Sequence, residues 1–296
     1  MQLNSSLDRV LFGDNQFFGV NHASDEKSRA QAMRFKDDQS IIRVLDQAID
    51  LGVRTFMCTT HDRIANICDH IRTHPDRYRY FKVLPCMPYA HKYANAVTEL
   101  GIMGTINQYV PGSIFGTFAK GGMAMVQGNY SKLMQILIDA EMKMFAGIDT
   151  PVIFIQNVLV DMILGLGMYD VFRDYDDYIR KRYGAEPGYI TMNMPDLVDA
   201  LESVGIYNPI ICSSINKAGF RMSGGIERNE RYLREKTFRP IAMQVLAAGT
   251  LRPKEAFAYL AQFPRIESVL FGSSSKQHIA ENIELIESTS MVAQEV

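Results

Sequence analysis

The sequence predicts an α/β protein built as one closed (β/α)8, or TIM, barrel. Three observations carry that expectation. Short apolar runs alternate with longer amphipathic segments along the chain. Glycine or proline punctuates nearly every boundary between them. Eight such strand-and-helix units fit into 296 residues, the length of a single large barrel. A doubly wound open sheet is the competing fold, but no G-x-G-x-x-G follows the first strand.

Taken in order, residues 11–20 read as a strand punctuated by Gly13 and Gly19. Residues 38–51 form an amphipathic helix with Ile41, Ile42, Leu45, Ala48 and Ile49 on one face, stopped by Gly52. A second strand spans 53–58, and the helix behind it runs from about Asp62 to Ile71. The third strand, 80–86, is expected to end on Pro85 and Pro88. An enlarged connection follows at about 90–147; its glycines (Gly112, Gly116, Gly121, Gly122 and Gly128) lead into a helix over 131–145. Strands at 151–157, 188–192, 209–214, 240–246 and 268–271 then alternate with helices at 169–183, 195–204, 226–235, 253–262 and 277–286. Pro195 and Asp196 suit the first turn of their helix. No repeat, low-complexity stretch or linker divides residues 1–296, so one domain is expected.

Composition narrows the function classes. A formal net charge of -2 gives no electrostatic basis for binding nucleic acid or an anionic membrane surface. No apolar run reaches the roughly 18 residues of a membrane span; the nearest, 152–166, is interrupted by Gln156, Asn157 and Asp161. The first six residues lack the basic start and apolar core of a signal peptide. Cys58, Cys68, Cys86 and Cys212 have no C-x-x-C spacing, which suits reduced thiols. A cytoplasmic protein acting on a small molecule is the expectation, with oligomeric state unspecified.

Barrel chemistry sits at the C-terminal ends of the strands. Those ends supply Asp14, Asn15 and His22, then His61 and Asp62, then Tyr89, His91 and Lys92. Farther along come Gln156, Asn157, Asp161, Asn193, Ser213, Asn216, Lys217 and Gln244. Such amides and hydroxyls orient a polyol or sugar well. His61 with Asp62 is the first acid/base candidate, because imidazole titrates near ~6.5; helix capping is its plainer role. Asp14 reads equally as a buried catalytic carboxyl or a turn residue, and Asn157 is counted with the catalytic set. His22, His61 and His91 follow successive strands, yet their spacing is not that of a local metal site, and none is expected. Lys217 as a Schiff-base lysine competes with a surface role. Arg221 could grip a carboxylate or phosphate, or form a rim ion pair. The last strand runs into Gly272, Ser273, Ser274, Ser275 and Lys276 before a helix, a sequence suited to an anion site.

The segment pattern over roughly 191–286 resembles the aldo-keto reductase superfamily. Met192-Asn193-Met194-Pro195-Asp196 is similar to the end of the family's fifth strand, and 211–216, through Asn216, to its sixth. Residues 241–251, through Gly249, resemble the strand-seven region that wraps the cofactor pyrophosphate. Gly272 to Ser275 followed by Glu281 and Asn282 resembles the last loop and its adenine-contacting pair. The resemblance implies an NADP(H) site formed by Asn193, Asn216, Gly249, Gly272, Ser273, Ser274, Ser275, Glu281 and Asn282. It also implies an Asp/Tyr/Lys/His tetrad, whose positions here fall on Met57, on His61 or Asp62, on Cys86 or Met87, and on Gln156 or Asn157.

The expectation is therefore an enzyme acting on a small polar carbonyl or sugar metabolite, with NADP(H) and a non-standard acid/base. The alternatives are a cofactor-independent isomerase, epimerase or aldolase of a phosphorylated sugar, and a non-catalytic ligand-binding descendant.

Overall fold

The chain closes into a barrel of eight parallel strands in sequential order, β1-β2-β3-β4-β5-β6-β7-β8. This computed structural model describes residues 7–19, 29, 33–89 and 130–292. The strands are β1 Val10–Gly13, β2 Thr55–Thr59, β3 Lys82–Met87, β4 Val152–Ile155, β5 Glu186–Thr191, β6 Ile210–Ser214, β7 Arg239–Met243 and β8 Ser268–Phe271. Closure is set by Val10 pairing with Val269 and Leu11 with Leu270.

The helices α1 Asp38–Asp50, α2 Asp62–Thr73, α3 Tyr130–Met142, α4 Asn157–Gly165 and α5 Asp170–Tyr183 serve the first half of the barrel. The second half carries α6 Met194–Ser203, α7 Ile226–Glu235, α8 Pro253–Leu260 and α9 Lys276–Val292. On α1, the Asp37 carboxylate accepts from the Ser40 backbone N–H at 2.7 Å and so caps an otherwise unpaired donor. Its apolar stripe, Ile41, Ile42, Val44, Leu45, Ala48 and Ile49, is buried against the sheet. No helix among the described residues is long and apolar enough to cross a membrane.

Side chains alternate inward and outward along each strand. Outward residues such as Phe12, Phe56, Ile153, Tyr189 and Val269 join the large core beneath the helices. Inward residues Leu11, Met57, Leu84, Cys86, Val152, Phe154, Ile190, Ile210, Cys212 and Ile241 form a separate cluster inside the barrel. Below them, the first residues of several strands make a polar plug. Arg239 forms a fork on Glu267 (2.8 and 2.7 Å) and reaches Glu186 at 2.9 Å. Thr55 and Lys82 both donate to the Asp8 carboxylate.

Three expectations need correction. The first strand stops at Gly13, and a 3-10 turn at Asn15–Phe18 replaces its second half. The turn draws Phe17 into the core beside Phe12, Phe35 and Phe56. Pro85 lies inside β3 opposite Cys58, not at its end; Pro187 and Pro240 are likewise inside β5 and β7. Each gives up a ladder donor, and tertiary packing overrides the proline signal. Finally, residues 157–165 are helical, so two helices separate β4 from β5. The glycines at 112–128 lie outside the described residues.

Inside the barrel, Phe154 lies level with Gly188 in the β4–β5 register. A Cβ at 188 would stand 2.4 Å from the Phe154 ring, so glycine is required for that ring to fill the interior. Gly188→Ala is expected to destabilise the protein by about 1–3 kcal/mol in urea unfolding, through overpacking. Phe154→Leu in the same chain should recover part of the loss. A cost that the second substitution leaves unchanged would contradict this account.

Candidate active site

Above the inner cluster the barrel opens into a cavity of about 520 Å³ at the C-terminal ends of the strands. Its floor is apolar: Gly13, Met57, Cys86, Ile190, Cys212, Met243 and Leu270. Its walls carry Asp14, Asn15, Thr59 and Tyr89 on the β1–β3 side and Gln156 and Asn157 after β4. Phe220 and Arg221 follow β6, Gln244 to Gly249 follow β7, and Gly272 and Asn282 complete the ring at β8 and α9.

Asp14 is 6% exposed at the end of β1. One of its oxygens accepts from both the Thr59 backbone N–H (2.8 Å) and the Thr59 hydroxyl (2.7 Å). Burial raises its pKa, since a low-dielectric site penalises the carboxylate; the Thr59 bonds pull the other way and only partly offset it. Its neighbours respond to the same field. Burial, then the Asp14 charge, raises the Tyr89 phenol. The Cys86 thiol is pushed well up by burial and by Asp14, so it stays protonated and is a poor nucleophile. A carboxyl raised toward neutrality, beside a phenol that keeps its proton, is an arrangement suited to moving a proton onto or off an oxygen or carbon.

Tyr89 is held from behind. Glu141 on α3 is buried; its carboxylate accepts the Thr60 hydroxyl at 2.5 Å and the Tyr89 backbone N–H at 3.1 and 3.2 Å. From sequence, Glu141 reads as an ordinary charged helix residue, because nothing local announces that its face turns toward the β3 loop. Gln16 likewise carries no local signal of its role. Its side chain donates to the Gly13 carbonyl at 2.8 Å and lies across Gly272, where a Cβ would meet its Oε1 at 2.1 Å.

The sequence-derived candidates divide. Asp14, Asn157, Gly249, Gly272 and Asn282 line the cavity; His61, Asp62, Asn193, Asn216, Ser273, Ser274, Ser275 and Glu281 do not. His61 is the N-cap of α2, its Nδ1 accepting from the Arg63 N–H at 3.2 Å, and its ring stacks on Phe18 at 4.2 Å. Asp62 is exposed in the first turn of the same helix. Asn216 is fully buried, with both ends of its amide on the backbone of Phe220. Asn193 gives its amide N–H to Asp196 at 2.7 Å, while its Oδ1 is buried and has no hydrogen-bond partner. Ser273 and Ser275 bond each other, the Ser274 carbonyl takes Arg34, and Glu281 takes Gln277. Met57, Cys86, Gln156 and Asn157, which hold tetrad positions by resemblance, all face the cavity, whereas Met87 is buried in the outer core.

Lys217 pairs with Glu255 at 2.7 Å on the exposed rim. His22, His91 and Lys92 lie outside the described residues. Among the described residues, no three His, Cys, Asp or Glu side chains converge as a metal group.

Glu141→Leu leaves two buried donors without an acceptor, and a loss of about 2–4 kcal/mol in urea unfolding is expected. Glu141→Gln should cost less, since it keeps one acceptor oxygen. Equal stability of all three proteins would show that the clamp does not hold the β3 loop.

No protein-family model matches the sequence, and no curated protein matches it. Solved structures do. Two structures of a Pseudomonas aeruginosa protein assigned to the aldo-keto reductases align with TM-scores of 0.59 and 0.57. Both share 11% identity, over 96% of this chain and 91% of theirs. An aldo/keto reductase from Brucella melitensis aligns at 0.50 with 11% identity, over 87% of this chain and 88% of its own. The chain thus has the eight-stranded (β/α)8 barrel fold of the aldo-keto reductases.

Proposed function

We propose that the protein is an enzyme that transfers a proton at Asp14 to or from a small polar carbonyl or sugar metabolite bound in the barrel mouth. The observation that supports this most directly is the Asp14 carboxyl, buried in the cavity wall, with a pKa raised by desolvation. In its acid form it gives a proton to a substrate oxygen; in its carboxylate form it takes one back. Thr59 fixes its orientation, and Tyr89, kept as a phenol, donates a hydrogen bond to the same oxygen. The amide-rich walls orient hydroxyl groups, and the apolar floor excludes water from the reacting atoms. Asp14 takes this role in preference to His61, which caps a helix, stacks behind Phe18 and does not itself line the cavity.

NADP(H) is the cofactor that the fold suggests, and residues on the β5–β8 side fit it. Gly249 and Asn282 supply an open backbone and an amide around the same arc. When bound, the cofactor would supply hydride to the carbonyl carbon, and Asp14 would supply the proton. Gln16 must leave Gly272 for a pyrophosphate to reach that backbone. That cover favours a second reading, in which Asp14 abstracts a proton from carbon and isomerises or epimerises the substrate without a cofactor.

Titration with NADPH and NADH, read by nicotinamide fluorescence, separates the two. Saturable micromolar binding supports the reductase; its absence, together with solvent deuterium entering a substrate C–H bond, supports the isomerase. In either case Asp14→Asn should lower turnover by about 10²–10⁴-fold. Unchanged turnover would refute the assignment.

Linkage gives a test that needs no substrate. The Asp14 pKa rises on folding from its ordinary 3.8, so the folded chain binds more protons than the unfolded one between the two values. Stability therefore falls as pH rises through that window, and the penalty is complete above it. Asp14→Asn removes the penalty. It should raise the melting temperature at about pH 7–8, with the gain fading as pH falls and gone below about pH 3, where both states carry the proton. A gain independent of pH would place the effect elsewhere.

A further inference from the structure

We infer that Arg221 is the specificity-determining residue of the mouth, and that the substrate carries an anionic group, a carboxylate or a phosphate, which pairs with it. This deepens the reading above and rests on the cavity being the substrate site. Of the described residues that line the cavity, two are charged: Asp14, buried in its wall, and Arg221, exposed at its rim. A ligand that spans the opening meets a proton-transferring carboxyl at one end and a guanidinium at the other, with neutral amides between them.

The loop after β6 fixes the backbone on both sides of Arg221. The Asn216 amide, with no solvent exposure, donates to the Phe220 carbonyl at 2.9 Å and accepts the Phe220 N–H at 2.8 Å. The Ser223 N–H bonds the Met192 carbonyl at 2.9 Å and ties the loop to the end of β5. Between these anchors Arg221 adopts φ +55°, a left-handed conformation that is strained for a non-glycine residue. Glycine would relieve that cost, and Gly219, Gly224 and Gly225 do occupy positive-φ sites in the same loop. Arginine at the strained position is explained by its side chain. Its guanidinium carbon lies 5.4 Å from the centroid of the Phe220 ring, and both residues line the cavity. The guanidinium fork matches a carboxylate or phosphate in a way an ammonium does not.

The test is equilibrium binding to the full-length protein by calorimetry, with D-glucuronate, D-glucose 6-phosphate and inorganic phosphate as anionic probes and D-glucose as the neutral control. At least one anion is expected to bind about tenfold or more tightly than D-glucose, a difference of about 1.4 kcal/mol. The glucuronate and phosphate arms tell which anion is taken. Arg221→Met keeps a non-glycine residue at the strained position, so its fold should be unchanged while the anion preference disappears; Arg221→Lys should restore part of it. A preference that survives in Arg221→Met, a neutral sugar bound as tightly as the anions, or no anion bound at up to about 10 mM would each overturn the inference. NADPH is titrated in parallel. Loss of NADPH binding in Arg221→Met with anion affinity unchanged would reassign Arg221 to the cofactor. Absence of NADPH binding from the unaltered protein, with the anion preference intact, removes the cofactor from the proposed function and leaves Arg221 standing.

Discussion

An eight-stranded barrel encloses a volume that must be filled, and how far up it is filled decides whether the molecule has a site. Here the filling is done in layers. Ionic and hydroxyl groups around Asp8 and Arg239 close the bottom, and Phe154, admitted by Gly188, helps fill the middle. Above that level the inward residues are short or flexible: Gly13, Met57, Cys86 and Cys212. They cannot reach across, so the packed core stops and the cavity begins. The mouth is thus a direct product of which side chains the strands turn inward near their C-terminal ends.

That origin also explains the electrostatics. A carboxyl at the end of β1 stands between an apolar floor and the ring of loops, where little water reaches it. Thr59 supplies two hydrogen bonds but no positive charge, so desolvation dominates and the proton is held more tightly. Arg221 is on the far side, at the wet edge. The two charges are held on separate loops, one buried in the wall and the other exposed at the rim.

Much of the architecture could be read from the sequence because it rests on periodicity. The stripe of α1, the β8 strand at 268–271 and α7 at 226–235 all fall where apolar spacing puts them. What escaped was set by tertiary contacts. Residues 157–165 are apolar nearly all round, so their helical period carried no polar face by which to recognise it. Pro85 obeyed the register of its neighbours instead of its own preference. At the site, Asp14 and Asn157 were accessible as polar residues at strand ends. His61 was equally conspicuous, but its ring found Phe18, and its Nδ1 a helix N–H. Gln16 and Glu141 could not be found locally, since each acts on a loop distant in the chain.

The four cysteines carry a consequence of their own. All are buried, and burial raises the thiol of each. A thiol that neither ionises nor meets solvent resists alkylating reagents until the surrounding structure opens. Cys58 and Cys68 belong to the core beneath the helices, whereas Cys86 and Cys212 face the mouth. The chain therefore carries two internal clocks, one timed by separation of helices from the sheet and the other by entry of small reagents through the barrel opening.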